Sequence, residues 1–451
     1  MTQTPIRWLL LLLVFAAAGC RGKENGPTTN GSAGRGTAAD DRPTTATGAT
    51  WSAVMTAGAG TGFHEIASGE FGTFVLMGRS SGEPVMVNGA EVVPSSDEHD
   101  DGLIQLDHVG KAVNGRVFRS RNAHPPFVIG SADALVGVDS VSLGAKGAFA
   151  TFPAGTTIPV DGNVFALTRT ASGRVWVAGT HWGDDRGSQK CDRKSFLGRR
   201  NANGSVEMVA CELVWRAFQL AAAGDDVVFC GSHFGGTVEI GDKKVTGKTF
   251  LARIGGDGTV RWVRAINEVG YSSCDDLVVT SDGDIVAGGT AVEDADFTPG
   301  AIAKGVKGKD DPGGGTLSAL WLARYAGDGT RRWGRLIGET ILGDHPSLAA
   351  DRDGNAILVA AITGPLDLGH GPVGPDGAVM AATIDRDAKV RGMLVAHGGA
   401  YSARGAVDPA NGLLFGFSTS DPVKVAGMTI QPPGKTPVAA VVRVPLPLPA
   451  P

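Results

Sequence analysis

The sequence predicts an all-β chain folded as a seven-bladed β-propeller of four-stranded blades, closed by an N-terminal outer strand on the C-terminal blade. Three observations lead there. Glycine is abundant (68 of 451 residues) and aromatics are few (6%), without a collagen period, which fits many tight turns between short strands. A long unit repeats along the chain. Finally, the two ends of the folded part each hold an orphan strand that the other end completes.

The strand signals are β-branched or aromatic stretches bounded by Gly and Asp, such as Gly173-Arg-Val-Trp-Val-Ala-Gly179 and Asp284-Ile-Val-Ala-Gly-Gly-Thr290. Two segments show the repeat directly: Phe250-Leu-Ala-Arg-Ile-Gly-Gly-Asp-Gly258-Thr-Val-Arg-Trp262 and Trp321-Leu-Ala-Arg-Tyr-Ala-Gly-Asp-Gly329-Thr-Arg-Arg-Trp333. Each reads as strand, tight turn, strand. A second hairpin follows each, turning at Ser281-Asp-Gly-Asp284 and at Asp351-Arg-Asp-Gly-Asn355. Trp262 to Trp333 and Gly289 to Ala360 are both 71 residues apart, so the whole unit repeats. The first turn recurs at Gly110, Gly155, Gly204, Gly258, Gly329 and Ala388. A small residue late in a strand of the second hairpin recurs at Gly78, Gly137, Gly179, Gly231, Gly289, Ala360 and Gly416. Seven such markers, 42 to 71 residues apart, give units long enough for four strands, which is the size of a propeller blade. On these residues the chain resembles the bacterial family of seven-bladed propeller repeats. The match is specific over 250–369 and loose over 120–165. Trp51, Trp262 and Trp333 share one repeat position, with Met208 in another unit, and are expected to pack between blades.

The ends support closure. Val438-Ala-Ala-Val-Val-Arg-Val444 matches the strand from Phe250, yet no partner follows it. Trp51-Ser-Ala-Val-Met55 matches the strands at Trp262 and Trp333, yet none precedes it. Pairing the two removes two exposed edges.

Ahead of this domain (51–451), residues 1–19 read as an export signal: one Arg, an apolar run over 8–18, then small residues. The run is too short to span a bilayer, which takes about 20 residues. Ala17-Ala18-Gly19-Cys20 resembles the lipobox of bacterial lipoproteins, and that resemblance implies lipidation at Cys20. Arg21 after it, rather than Asp, points to the outer membrane rather than the inner. Residues 20–50 then form a lipidated, Gly/Thr/Ala-rich tether; beyond Cys20 the stretch 21–50 has no Leu, Ile, Val, Met or aromatic residue and cannot offset the entropy of ordering.

The net charge of −5 (41 Lys and Arg against 46 Asp and Glu) implies no basic face, so nucleic acid is not an expected partner. The nine His form no H-x-x-x-H or H-E-x-x-H pair. The Asp-rich turns at 281–284 and 351–355 lack the further ligands of a calcium loop and read as turn chemistry. The run 326–333 distantly resembles the tryptophan-docking repeat of quinoprotein dehydrogenases, without a visible ligand set. No catalytic, cofactor or metal constellation is therefore expected.

Four Cys remain in the exported domain: Cys191, Cys211, Cys230 and Cys274. With no C-x-x-C spacing they read as two disulfides. Three pairings are possible. Because Cys191 and Cys211 flank a hairpin turning at 201–204, they are expected to pair with each other, leaving Cys230 with Cys274.

Two long connections, each joining the second strand of a unit to its third, are the expected binding loops. One is 181–194, with Trp182, Asp184, Asp185 and Arg186. The other is 293–318, with Lys304, Lys307, Lys309, Asp310 and Asp311. Equal places in the repeat put them on one face, where insertions often mark a binding surface. The function expected is an envelope-anchored binding or scaffold propeller for a protein or glycan. The alternative is a propeller-based enzyme, quinoprotein-like or a polysaccharide lyase.

Overall fold

A computed structural model describes residues 49–451 except 60, 70–71, 80–81, 95–100, 119–126, 130–133, 139–147, 153–156, 160–162, 181–195, 201–205, 212–214, 234–236, 268–271, 292–294, 299–300, 304–317, 341–344, 363–365 and 374–377. The described residues form one compact unit. Its fold is an all-β propeller with four-stranded blades. Six sheets have four strands each, hydrogen-bonded in chain order: sheet I (62–118), II (127–159), III (163–211), IV (215–267), V (276–340) and VI (347–396). A further, six-stranded closing sheet runs in the order Ala400–Val407, Gly412–Thr419, Val438–Pro445, Trp51–Thr56, Val85–Val87, Ala90–Val93.

The closing sheet joins the two chain ends as the orphan strands require. Trp51 lies opposite Arg443 and Met55 opposite Ala439, in an antiparallel register. One expectation needs correction: Trp51–Thr56 is not an outermost strand. The hairpin 85–93 pairs onto its far edge through Met55–Val87 and Thr56–Met86, which protects an edge that would otherwise be open. The first strands of successive sheets stand side by side, and Gly62–Gly69 of sheet I lies next to Ala400–Val407 of the closing sheet.

The burial pattern follows from this stacking. A middle strand is covered on both faces by neighbouring sheets, so it carries apolar residues at every position instead of alternating. Ala356–Ile362 and Ala378–Ile384 are buried throughout. The outer strand Val390–Ala396 has one covered face and does alternate.

The repeated Trp explains how sheets interlock. The Trp51 indole N–H donates to His108 O in the third-to-fourth turn of sheet I (3.0 Å), Trp262 to Gly327 O in that of sheet V (3.1 Å), and Trp333 to Arg386 O in that of sheet VI (2.8 Å). Each ring lies on the turn of the following sheet. A Cβ at Gly110 would stand 2.4 Å from the Trp51 ring, and one at Gly329 2.8 Å from that of Trp262. Both glycines also have positive φ, +80° and +84°, so the turn needs Gly for conformation and for room. Sheet VI uses Ala388 there, at φ +63°. The expected packing of Trp between blades is observed. Asp351 Oδ1 accepts from the backbone of Asp353 and Asn355, so the Asp-rich turn at 351–355 is turn chemistry, as its sequence suggested.

All seven small-residue markers lie on second strands, but not at one level. In register Gly416 matches Gly288 rather than Gly289, because it lies opposite Arg404 as Gly288 lies opposite Asp276. The connection 293–318 is not all loop: Ala295–Thr298 and Ala301–Ala303 form a hairpin. Similar hairpins occupy this place in sheet IV (237–246), sheet VI (366–373) and the closing sheet (423–430). Those of sheets V and VI and of the closing sheet lean on the outer strand of the preceding sheet.

Candidate functional site

In antiparallel four-stranded units, the first-to-second and third-to-fourth turns share one end of the strands. The second-to-third insertions and the links between sheets share the other. We call the latter end of the central first strands the mouth.

The registers place five polar residues of the first strands at one level. Counting from the third-strand residue before each turn (Leu106, Ile254, Tyr325, Ile384, Val444), the matching second-strand residues are Leu76, Cys230, Gly288, Val359 and Gly416. Their first-strand partners are Glu65, Gln219, Asp276, Ser347 and Arg404.

Several of these side chains reach the next sheet. Asp276 Oδ2 accepts from Leu348 N (2.6 Å), Ser347 Oγ accepts from Gly405 N (3.2 Å), and Arg404 Nε stands 3.7 Å from Glu65 Oε2. Arg404 Nη1 donates to the carbonyls of His345 (3.0 Å) and Ala403 (2.8 Å). Desolvation pushes the Asp276 carboxyl up to about 7; the Leu348 N–H pulls the other way, and the Glu65 charge adds to the rise.

One step nearer the mouth, Asp275 Oδ1 faces His345 Nδ1 at 3.1 Å. The Asp275 side chain is only 6% exposed and the His345 side chain 58%. Asp275 Oδ2 is buried and has no hydrogen-bond partner among the described residues. Tyr401 (39% exposed) sits three residues before Arg404, on a strand whose register shifts between Tyr401 and Arg404, with Ser402 at φ +51°.

The segment carrying both aspartates is held on every side. Trp321 Nε1 donates to Ser273 O (2.9 Å), Ser273 N to Thr290 O (2.8 Å), Cys274 N to Ser232 Oγ (3.3 Å) and Asp275 N to Gly288 O (2.9 Å). A Cβ at Gly289 would come within 2.1 Å of Ser273 O, so this close approach requires glycine. A disulfide joins Cys230 of sheet IV to Cys274, with Cα atoms 6.1 Å apart, as the cysteine spacing led us to expect. Rigidity here is built from backbone bonds, one covalent link and one missing side chain.

Among the described residues no three His, Cys, Asp or Glu side chains lie close enough to hold one metal ion. Of the residues singled out from sequence, Cys230 and Cys274 brace the site. Trp182, Asp184, Asp185, Arg186, Lys304, Lys307, Lys309, Asp310, Asp311 and Cys20 lie outside the described residues, as does Cys191; the side chain of Cys211 is likewise not described. Glu65, Asp275, Asp276, His345 and Arg404 were not singled out. The signal available was register: Asp276 and Ser347 are 71 residues apart, and Arg404 precedes Asp408 by the four residues that separate Ser347 from Asp351.

No protein-family model matches the chain, and no curated protein matches it. Among solved structures, it is similar to a gluconolactonase from Xanthomonas campestris (11% identity, 88% of this chain and 87% of that one, TM-score 0.36). It is also similar to an oligogalacturonate lyase in complex with manganese (12%, 87% and 91%, TM-score 0.44) and to a polysaccharide lyase of family PL25, an ulvan lyase (10%, 82% and 93%, TM-score 0.44). At such identities and TM-scores nothing about the site follows from them.

Proposed function

We propose that this chain is a lipid-anchored envelope protein whose seven-bladed propeller binds a protein or glycan partner across its mouth. In this reading the closing sheet supplies the seventh blade, residues 1–19 direct export, Cys20 carries the lipid, 21–50 act as tether, and the anchor lies in the outer membrane. The observation that carries it is the gathering at the mouth of Glu65, Asp275, Asp276, His345 and Arg404, from sequence positions up to 339 residues apart. Convergent polar groups on a rigid scaffold are what a recognition site needs. The insertions 181–194 and 293–318 spring from the same end and would widen the contact surface.

The test is affinity capture from envelope extract with the mature chain in detergent. Asp275→Asn with Tyr401→Ala should abolish capture in a chain that still unfolds cooperatively. Replacing 299–316 by a short Gly-Ser link, together with Trp182→Ala, should weaken it. Capture that survives all four changes would place the partner elsewhere.

A second reading, an enzyme, is favoured by the Asp275–His345 pair, since a buried carboxylate on Nδ1 orients an imidazole for proton transfer. A lyase acting on a uronate fits less well. Its anionic substrate would meet Glu65, Asp275 and Asp276, while the Arg404 guanidinium is already committed to two backbone carbonyls and Glu65. Turnover of a captured glycan that is lost in His345→Ala would establish this second reading.

A further inference from the structure

We infer that the mouth binds a glycan bearing a free, protonated amino group, with Asp275 as its docking carboxylate; this rests on the binding function proposed above. Asp275 lies deeper than an ordinary surface acid, yet one of its oxygens has no partner among the described residues. A buried acceptor left unmade is costly, and every such atom in a native protein calls for an explanation. The backbone bonds at 273–275, the disulfide and the close approach at Gly289 hold in place the segment that carries the carboxylate. Its Oδ1 partner, His345, is more than half exposed and sits over the carboxylate as a displaceable cover.

The surroundings select a cation. Asp275 and Glu65 set two carboxylates beside the Arg404 guanidinium, and Asp276 adds a third once it ionises above about 7, so among the side chains named here the balance leans negative. An ammonium is a compact point charge with three donors that can be shared among acceptors from different strands. Half-exposed Tyr401, three residues from Arg404 on the same strand, supplies an aromatic face of the kind sugar rings lie against. That favours an amino sugar over a lysine side chain.

The experiment is calorimetric titration of the mature chain in detergent with three probes: the tetramer of glucosamine, the tetramer of N-acetylglucosamine, and lysine amide. The glucosamine tetramer should bind at least tenfold more tightly than either of the others. Asp275→Asn should weaken it at least tenfold. His345→Ala, at an exposed position where folding is safe, should tighten it several-fold by removing the competing donor. Equal binding of the amino and N-acetylated tetramers, preference for lysine amide, or weaker binding in His345→Ala would each overturn the assignment. If those results appear while the chain still captures an envelope partner through this face, the binding function stands and only the ligand chemistry fails.

Discussion

At the turn end of the sheets, Arg324 is fully buried and bridges two sheets: Nε donates to Asp284 (2.8 Å), while Nη2 donates to Asp282 (2.9 Å) and to Gly354 O of the next sheet (3.1 Å), and Nη1 alone lacks a partner among the described residues. Arg253 repeats the arrangement with Asp226 (2.9 Å) and Gly327 O (3.0 Å), and Arg443 with Asp408 and Ala49 O (2.9 Å). At the mouth, Arg404 Nε stands 3.7 Å from Glu65 Oε2, Asp275 keeps one oxygen without a partner among the described residues, and Asp276 holds its proton up to about 7. The same residue types serve two purposes. Paired and bridging to the next sheet, they fasten blades. Crowded and under-neutralised, they form a site that a ligand completes.

The sharpest way to break this contrast is at the chain ends, where fastening is covalently discontinuous. Deleting 51–56 removes the strand between Val438–Pro445 and the 85–93 hairpin, together with buried Ala53 and Met55 and the docked Trp51. Losing a packed Trp alone costs about 3–5 kcal/mol. The truncated chain should fail to give a cooperative thermal transition. An unchanged melting temperature would show that closure contributes nothing.

Next in size is the difference between the two ends. Arg324→Ala removes the buried guanidinium that Asp282 and Asp284 share, leaves them the exposed Arg386 and Arg332, and should cost about 3 kcal/mol in denaturant titration, the lower end for a broken buried pair. His345→Ala, on an exposed ring, should stay within about 0.5 kcal/mol of wild type. Comparable losses from both would erase the distinction between fastening and functional charge. Cys230→Ser with Cys274→Ser should match the loss in Arg324→Ala: a loop with a separation of 44 residues should cost roughly 3–4 kcal/mol on the chain-entropy model.

This division also explains what the sequence could reveal. Fastening devices repeat with the blade, so Gly110, Gly258 and Gly329, the Trp at 51, 262 and 333, and the matching terminal strands were legible. The site does not repeat. Its level carries Glu65, Gln219, Asp276, Ser347 and Arg404 in turn, a different residue in each sheet, and only the hydrogen-bond register brings these positions to one height. The disulfide was an indirect sign: Cys274 is next to Asp275, and the bond braces the segment that the site needs.

The signal most specific to the mouth is the pH dependence of stability. Asp276 titrates near its ordinary value in the unfolded chain and at about 7 in the folded one, chiefly because burial disfavours its charge. Between about pH 4 and 7 the folded state therefore holds more of this proton than the unfolded state. Where the folded state binds the extra proton, stability falls as pH rises, by at most about 1.4 kcal/mol per pH unit for one proton. The contribution is complete below pH 4 and lost above 7. Asp276→Asn keeps an acceptor for one of the two N–H groups, those of Leu277 and Leu348, and turns its amide toward the other. That penalty is independent of pH, whereas the titration disappears. Denaturant unfolding at pH 5, 6, 7 and 8 should thus show the variant gaining on wild type up to pH 7 and running parallel beyond it. Parallel curves throughout would mean that the mouth tolerates an ionised Asp276, and that its carboxyls are as well neutralised as those at the turn end.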